Sequence, residues 1–271
     1  MDDRVKSCCA GFYELPVVTL LLGDELHPGG VALTRKLAAA TLVGRDARVL
    51  DVACGRGESA RVLATHFGCR VVGIDYSEKN VGLANELTED AGLSDRVHFV
   101  WGDAEQLPFD AGSFDVVICE CSLCIFPQVA TALGEFQRVL RAGGRVGISD
   151  VVLNEVVPES LQDILGRALC ISGALSIDGY RSALGVAGFL AIRSRDVSGV
   201  LSDMIARIER RVSTIKHFLS EEQLELPGGL CVPGSRIAEA RDFVASGGVG
   251  YALITARKSR TDGVLATGRG T

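Results

Sequence analysis

Three observations predict an α/β fold with a parallel sheet covered on both faces. From Arg48 onward, short β-branched runs alternate with helical patterns, and each run is almost continuously apolar. The run ends carry glycines or acids, where an open α/β sheet binds its ligands. The strands expected are 48–52, 70–74, 97–101, 114–118 and 145–149, with helices at 58–67, 78–91 and 129–140 between them. Ahead of the sheet, 13–22 and 31–40 read as two helices joined by the turn Gly23–Gly30, which contains His27-Pro28-Gly29-Gly30. Beyond it, 158–169 reads as a helix with proline in its first turn, and 176–186 as another capped by Ser176. Then come a strand at 190–195, a long amphipathic helix at 200–219, a Gly/Pro loop at 227–234, a short helix at 237–245 and a closing strand at 250–256. The division expected is an N-terminal helical cap (1–45), a sheet core (46–152), substrate-side helices with closing strands (153–257) and a disordered tail (258–271).

Composition narrows the function classes. With 47% apolar and 23% charged residues, the 271-residue chain has enough material for one sizeable core, which excludes disorder throughout. Glycine, at 32 residues, exceeds its average share of about 7%. The net charge of −6 and the lack of a basic block argue against nucleic acid or an anionic membrane as main partner. The opening Met1-Asp2-Asp3 has the wrong sign for a secretory leader, and the apolar run 15–22 falls short of the about 20 residues a membrane span needs. A cytoplasmic protein acting on a small molecule is expected, with nine cysteines kept as thiols.

Four strand ends carry the cofactor signal. The first is Val49-Leu50-Asp51-Val52-Ala53-Cys54-Gly55-Arg56-Gly57, a glycine-bearing turn that lets backbone approach a ligand closely. Asp75 follows 24 residues after Asp51, placed to accept hydrogen bonds from two ribose hydroxyls. Gly102-Asp103-Ala104 offers an acid to an adenine amino group, and the strand from Phe114 runs to Glu120. No phosphate-cradling lysine follows the glycine turn, and an acid enters it. Three acids without a phosphate site favour a cationic, phosphate-free nucleoside, a description that S-adenosylmethionine fits.

Residues 48–150 resemble the class I S-adenosylmethionine-dependent methyltransferases. The likeness rests on 49–57, 73–77, 102–109, 113–118 and 139–149, including the turn Leu140-Arg141-Ala142-Gly143-Gly144-Arg145 before the fifth strand. Alanine stands at Ala53 where the family usually has glycine. The resemblance implies a Rossmann-like sheet of seven strands, the last pair antiparallel, with an N-terminal helical lid and a C-terminal helical insertion. It also implies that Asp51 and Gly55 line the methionine end, that Asp75 holds the ribose and Asp103 the adenine, and that Ala53, Gly57, Tyr76, Ala104 and Glu120 line the same site.

The methyl acceptor is addressed by the cysteines. Cys119, Cys121 and Cys124 crowd the end of the fourth strand, where alternation puts Cys119 and Cys121 on one face and Glu120 on the other. Cys69 and Cys119 read as small buried hydrophobes and Cys54 as a turn residue. Zinc would need four ligands, more than Cys-x-Cys-x-x-Cys on one short strand end supplies. Ser149-Asp150-Val151, Val157-Pro158-Glu159 and Cys170-Ile171-Ser172-Gly173-Ala174-Leu175 resemble the arsenite methyltransferases. That resemblance implies Cys170 as an arsenic ligand, with Cys8, Cys9 and Cys231 as further ligands and Cys9, Cys121 and Cys124 beside Cys170 in the reaction. The expected reaction is in-line attack of the arsenic lone pair on the sulfonium methyl group, with glutathione or thioredoxin as reductant. Thiolates select soft centres, and a lone pair needs no base. Glu120-Cys121 departs from that family's Asn-Cys. Two alternatives stand beside it: methylation of a small organic O, N or C nucleophile with structural cysteines, or a thiol protein that binds metalloids without turnover.

Among other residues, His27 reads as a turn residue without a catalytic part, and His66, His98 and His217 as solvated or packing positions. Tyr13 is a candidate lid contact. Arg207-Ile208-Glu209-Arg210-Arg211 reads as a solvated helix face, and Trp101 as packed against the sheet.

Overall fold

The computed structural model describes residues 2–23, 26–215 and 234–260. Its centre is a seven-stranded sheet formed by β1 (Arg48–Val52), β2 (Arg70–Asp75), β3 (Val97–Trp101), β4 (Phe114–Glu120), β5 (Leu140–Leu153), β6 (Leu190–Asp196) and β7 (Val249–Arg257), in the order β3-β2-β1-β4-β5-β7-β6. The first five strands are parallel and β7 is antiparallel to both β5 and β6, as the sequence predicts. The order reverses between β2-β1 and β4, and the crevice above that switch point is where an open sheet takes its ligand.

Local chemistry sets most helix ends. Helix α4 (Glu58–Phe67) lies between Gly57 at φ 74° and Gly68 at φ 67°, a left-handed conformation that glycine adopts without steric cost. Helices α5 (Glu78–Asp90) and α8 (Ile177–Val186) start at serines whose side chains accept from Asn80 N–H and Gly179 N–H. Helix α3 (Gly30–Ala40) joins α4 and α5 on one face of the sheet. Helix α6 (Val129–Val139) and α8 cover the other, over a core that includes Leu50, Val117, Phe136 and Tyr180.

The ends of the chain depart from expectation. Residues 2–22 form α1 (Asp2–Tyr13) and α2 (Pro16–Leu22), because Pro16 begins a new helix after Leu15 turns extended. Cys8 and Cys9 therefore lie within a helix rather than before one. The expected helix 158–169 is a 3₁₀ turn at Glu159–Leu161 followed by α7 (Ile164–Ala168). Strand β5 is extended from Leu140, so the Ala142-Gly143-Gly144 turn falls inside it, with a register shift against β4. Helix α9 (Gly199–Ile215) covers most of the long helix expected, and α10 is Gly234–Ala245. Lys258 and Ser259, expected in the tail, are bonded to the β5 turn: Lys258 N–H donates to Gly144 O, and Ser259 O accepts from Gly143 N–H; residues 261–271 lie outside the described residues. His217, Cys231 and the loop before Gly234 lie outside the described residues. No described helix is long and apolar enough to cross a membrane.

Candidate active site

The carboxyl ends of β1, β2, β3 and β4 open into one cleft with α1 lying over it. Asp51, Ala53 and Gly55 line it from β1 and its turn, Asp75 and Tyr76 from β2, Asp103 and Ala104 after β3, and Glu120 from β4. Gly57 is not on the wall. It sits at φ 74°, and a Cβ there would come within 2.2 Å of the Phe99 ring, so its role is turn formation and close packing.

The cleft is acidic and buried at its floor. Asp51 is 2% exposed, and its Oδ2 has no hydrogen-bond partner. Burial, reinforced by the charges of Glu120 and Asp75, pushes its carboxyl well above the usual range. Asp75 accepts from Gly55 N–H at 2.8 Å and Ser77 N–H at 2.9 Å. Burial nevertheless raises its pKa against those two bonds. Glu120 accepts from Thr34 (2.9 Å) and Ser59 (2.8 Å), with His27 Nε2 3.7 Å away. A buried carboxylate without a donor is costly unless a cation or a donor arrives. A sulfonium nucleoside with an amino group supplies both, so the residues present fit S-adenosylmethionine.

Sequence reasoning missed four parts of this wall. Lys6, on α1, reaches into the corner of the cleft after β3 and meets Asp103 Oδ2 at 2.6 Å and Glu105 Oε2 at 2.5 Å. Nothing in its neighbourhood marked it, because the helix carrying it was not anticipated. His27 is buried and lines the cleft. Its Nδ1 lies 3.2 Å from Pro28 O and its Nε2 3.4 Å from Ser59 Oγ. The other two are Ser59 and Arg56, also on the wall, the latter bonded to Thr19. Tyr13 lines the cleft as a lid contact and donates to Ala168 O at 3.0 Å.

The thiols gather at the inner end. Cys121 Sγ donates to Cys170 Sγ at 3.7 Å, and Tyr13 Oη lies 3.6 Å from the same sulfur. Cys121 does not share a face with Cys119. The chain turns left-handed at Cys121 (φ 52°), sending Cys119 into the core beneath α6 and Cys121 to the cleft. Cys170 is also left-handed, at φ 62°. Such backbone costs about 1–2 kcal/mol at a residue with a Cβ. Bonds from Cys121, Cys124 and Tyr13 hold the Cys170 thiol well below its usual range despite burial. Cys121 is pushed up, first by donating its own proton to Cys170 and then by burial. Burial lifts Cys124, and Cys9 to about 11. Cys9 lines the cleft, whereas Cys8, the next position on α1, does not. Among the described residues no group of three or more His, Cys, Asp or Glu is arranged to hold a metal ion.

Three further expectations are corrected. Trp101 is 57% exposed rather than packed, its Nε1–H bonded to Tyr76 O. Arg211 is not free in solvent but donates to Leu21 O at 2.8 Å, fastening α9 to α2. His27 belongs to the cleft rather than to a bystander turn.

Residues 50–148 match the family model described as "Methyltransferase domain". The chain is 31% identical over 260 residues to the 27-O-demethylrifamycin SV methyltransferase of Amycolatopsis mediterranei, covering 88% of this chain and 91% of that one. It is 30% identical to the O-methyltransferase cnsE of Penicillium expansum, covering 89% and 88%. Among solved structures, the [4+2]-cyclase SpnF superposes with a TM-score of 0.78 at 25% identity, over 93% of this chain and 96% of that one. The phosphoethanolamine N-methyltransferase 2 of Haemonchus contortus, in complex with S-adenosyl-L-methionine, superposes at 0.74 and 19% identity, over 89% and 56%. With an acidic cleft above the sheet's switch point and this likeness along almost the whole chain, the protein belongs to the class I S-adenosylmethionine-dependent methyltransferases.

Proposed function

We propose that the protein methylates an oxygen of a small organic acceptor. The observation that carries this reading is the likeness to two methyltransferases along nearly the whole of both chains, one named for 27-O-demethylrifamycin SV and the other as an O-methyltransferase. The cleft supports it. Leu26, Ile125 and Phe126 offer apolar contact to an organic body, and His27 on the cleft wall would act as base toward an attacking hydroxyl. S-adenosylmethionine, when bound, supplies the methyl group. Asp51 would face its amino and sulfonium end, Asp75 the ribose and Asp103 the adenine. The fold holds donor and acceptor in line, and alignment of this kind contributes up to about 7–11 kcal/mol.

The convergence of Cys9, Cys121, Cys124 and Cys170 favours a second reading, transfer to thiol-bound trivalent arsenic with glutathione or thioredoxin as reductant. Purified protein incubated with methyl-labelled S-adenosylmethionine separates the two. One arm holds hydroxyl-bearing organic compounds; the other holds arsenite with glutathione. Label in an organic ether with none in arsenic supports the first reading. Methylated arsenic that disappears in Cys170→Ser, with no organic product, overturns it in favour of the second.

A further inference from the structure

The thiol pair at the inner end of the cleft is not needed to bind the cofactor or to deprotonate an organic hydroxyl, yet its geometry is specific. Cys121 and Cys170 stand 49 positions apart in sequence, with sulfurs at 3.7 Å. Each sits on left-handed backbone, at φ 52° and 62°, a conformation that residues with a Cβ seldom adopt. The local structure holds both in place. Cys121 N–H is bonded to Ser149 O at 2.6 Å and Cys170 N–H to Arg167 O at 2.8 Å. Gly173 packs so closely that a Cβ there would meet Cys124 O at 1.9 Å, pinning the Cys170 segment against the end of β4. Cys170 is 2% exposed while Cys121 lines the cleft, so the cleft is the route by which a small reagent reaches the pair.

We propose that Cys121 and Cys170 form an oxidative modification site, closed to a disulfide by a small hydroperoxide that enters through the cofactor cleft. In the first step one thiol attacks the peroxide oxygen. The O–O bond breaks, and the products are a sulfenic acid and water, or the corresponding alcohol from an organic peroxide. In the second step the other thiol displaces hydroxide from that sulfur. An S–S bond forms, the S–O bond breaks and a second water leaves, so one peroxide is reduced by two electrons and the pair is oxidised by two. The consequence for the cleft follows from contact. Tyr13 Oη rests against Cys170 Sγ, and closing the pair draws that sulfur toward Cys121 and away from the lid helix. A dithiol reverses the change by exchange.

The inference does not depend on the identity of the methyl acceptor, because its primary readout is a covalent mass. Wild-type protein is treated with a small excess of hydrogen peroxide, alkylated without reduction, digested and mapped. The expected product is one linked peptide joining Cys121 to Cys170, two hydrogens lighter than the sum of its parts, abolished by dithiothreitol. Bound S-adenosylhomocysteine should slow its formation several-fold. Cys69→Ser, at a buried position remote from the cleft, should form the link at the wild-type rate, and Cys121→Ser should lose it, leaving Cys170 as a sulfenic acid or joined to Cys124, whose thiol also bonds to it. Peroxide that leaves both thiols alkylatable, a link joining Cys121 to Cys124 instead, or formation unaffected by S-adenosylhomocysteine would each overturn the proposal.

Discussion

At the scale of single residues, the acids of the cleft explain why a folded protein keeps a carboxylate in a place that resists it. Asp51 has a buried, unpartnered oxygen and a pKa raised first by burial and then by Glu120 and Asp75. An unfolded aspartate ionises near 3.9. Between that value and the higher folded one, the native chain binds the extra proton. Stability of the ligand-free protein therefore falls as pH rises through this window, and is greatest on its acid side. Asp51→Asn removes this residue's share of the slope, while Asp75 and Asp150, also raised by burial, keep theirs. It should raise the melting temperature of the ligand-free protein at pH 7 by about 2–4 °C for each kcal/mol regained, while shrinking the rise that S-adenosylmethionine produces. Scanning calorimetry at several pH values reads both, and a lower ligand-free melting temperature with an unchanged ligand response would count against this role. Asp51, Asp75 and Asp103 were legible in the sequence because each closes an apolar run. His27 was not, since a histidine before Pro-Gly-Gly looks like any turn until the fold sets it beside Glu120.

Among the elements, α1 does most to complete the site, and its sequence gave the least warning. Its residues are polar enough to pass for a leading segment, and the contacts that fix it come from far along the chain. Lys6 grips Asp103 and Glu105, Glu14 accepts from Ser77 at 2.6 Å, and Tyr13 reaches Ala168. Burial alone would lower the Lys6 pKa, but the bonds and charges of the two acids more than offset it, so the ammonium is retained at any neutral pH. Lys6→Met leaves two facing acids unpaired. We expect opening of residues 2–13 to become easier by about 1–3 kcal/mol, seen as faster amide exchange there and unchanged exchange in β1 and β4. Uniform acceleration through the sheet would instead mean that the lid and core unfold together. Helix α7 teaches a related lesson. Pro158 predicts the start of one long helix, but Gly166 packs onto Leu161 so tightly that a Cβ would fall 1.8 Å from its carbonyl oxygen, and the segment is a turn followed by a short helix. By the same argument Gly173→Ala, aimed at Cys124 O, should destabilise the protein by about 1–3 kcal/mol in chemical denaturation. A change within error would show that the 170s segment is not fixed against β4.

For the molecule as a whole, the places of the five parallel strands were legible in alternation and apolar continuity, whereas the seven-strand sheet with its antiparallel last pair came from the family resemblance, and β5 runs beyond its expected limits at both ends. The acceptor did not follow. The resemblance around Cys170 implied arsenic, but a local likeness does not say whether thiols face a ligand or one another. The structure places Cys170 against Cys121 and buries Cys69 and Cys119 completely. The fold also predicts which nucleotides are refused. Asp51 stands beside the Gly55 turn, where a dinucleotide would bring its pyrophosphate, so S-adenosylhomocysteine should raise the melting temperature and NAD should leave it unchanged. A comparable rise with NAD would contradict an acid-lined nucleoside site.

The account rests on the cleft above β1 and β2 being the S-adenosylmethionine site. Isothermal titration of S-adenosylmethionine into the wild type and Asp75→Ala tests it most directly. We predict one molecule bound per chain and affinity at least tenfold weaker in the variant, a loss of about 1.4 kcal/mol or more. Equal affinity in the two proteins, with the variant folded by circular dichroism, would place the cofactor elsewhere and contradict the account.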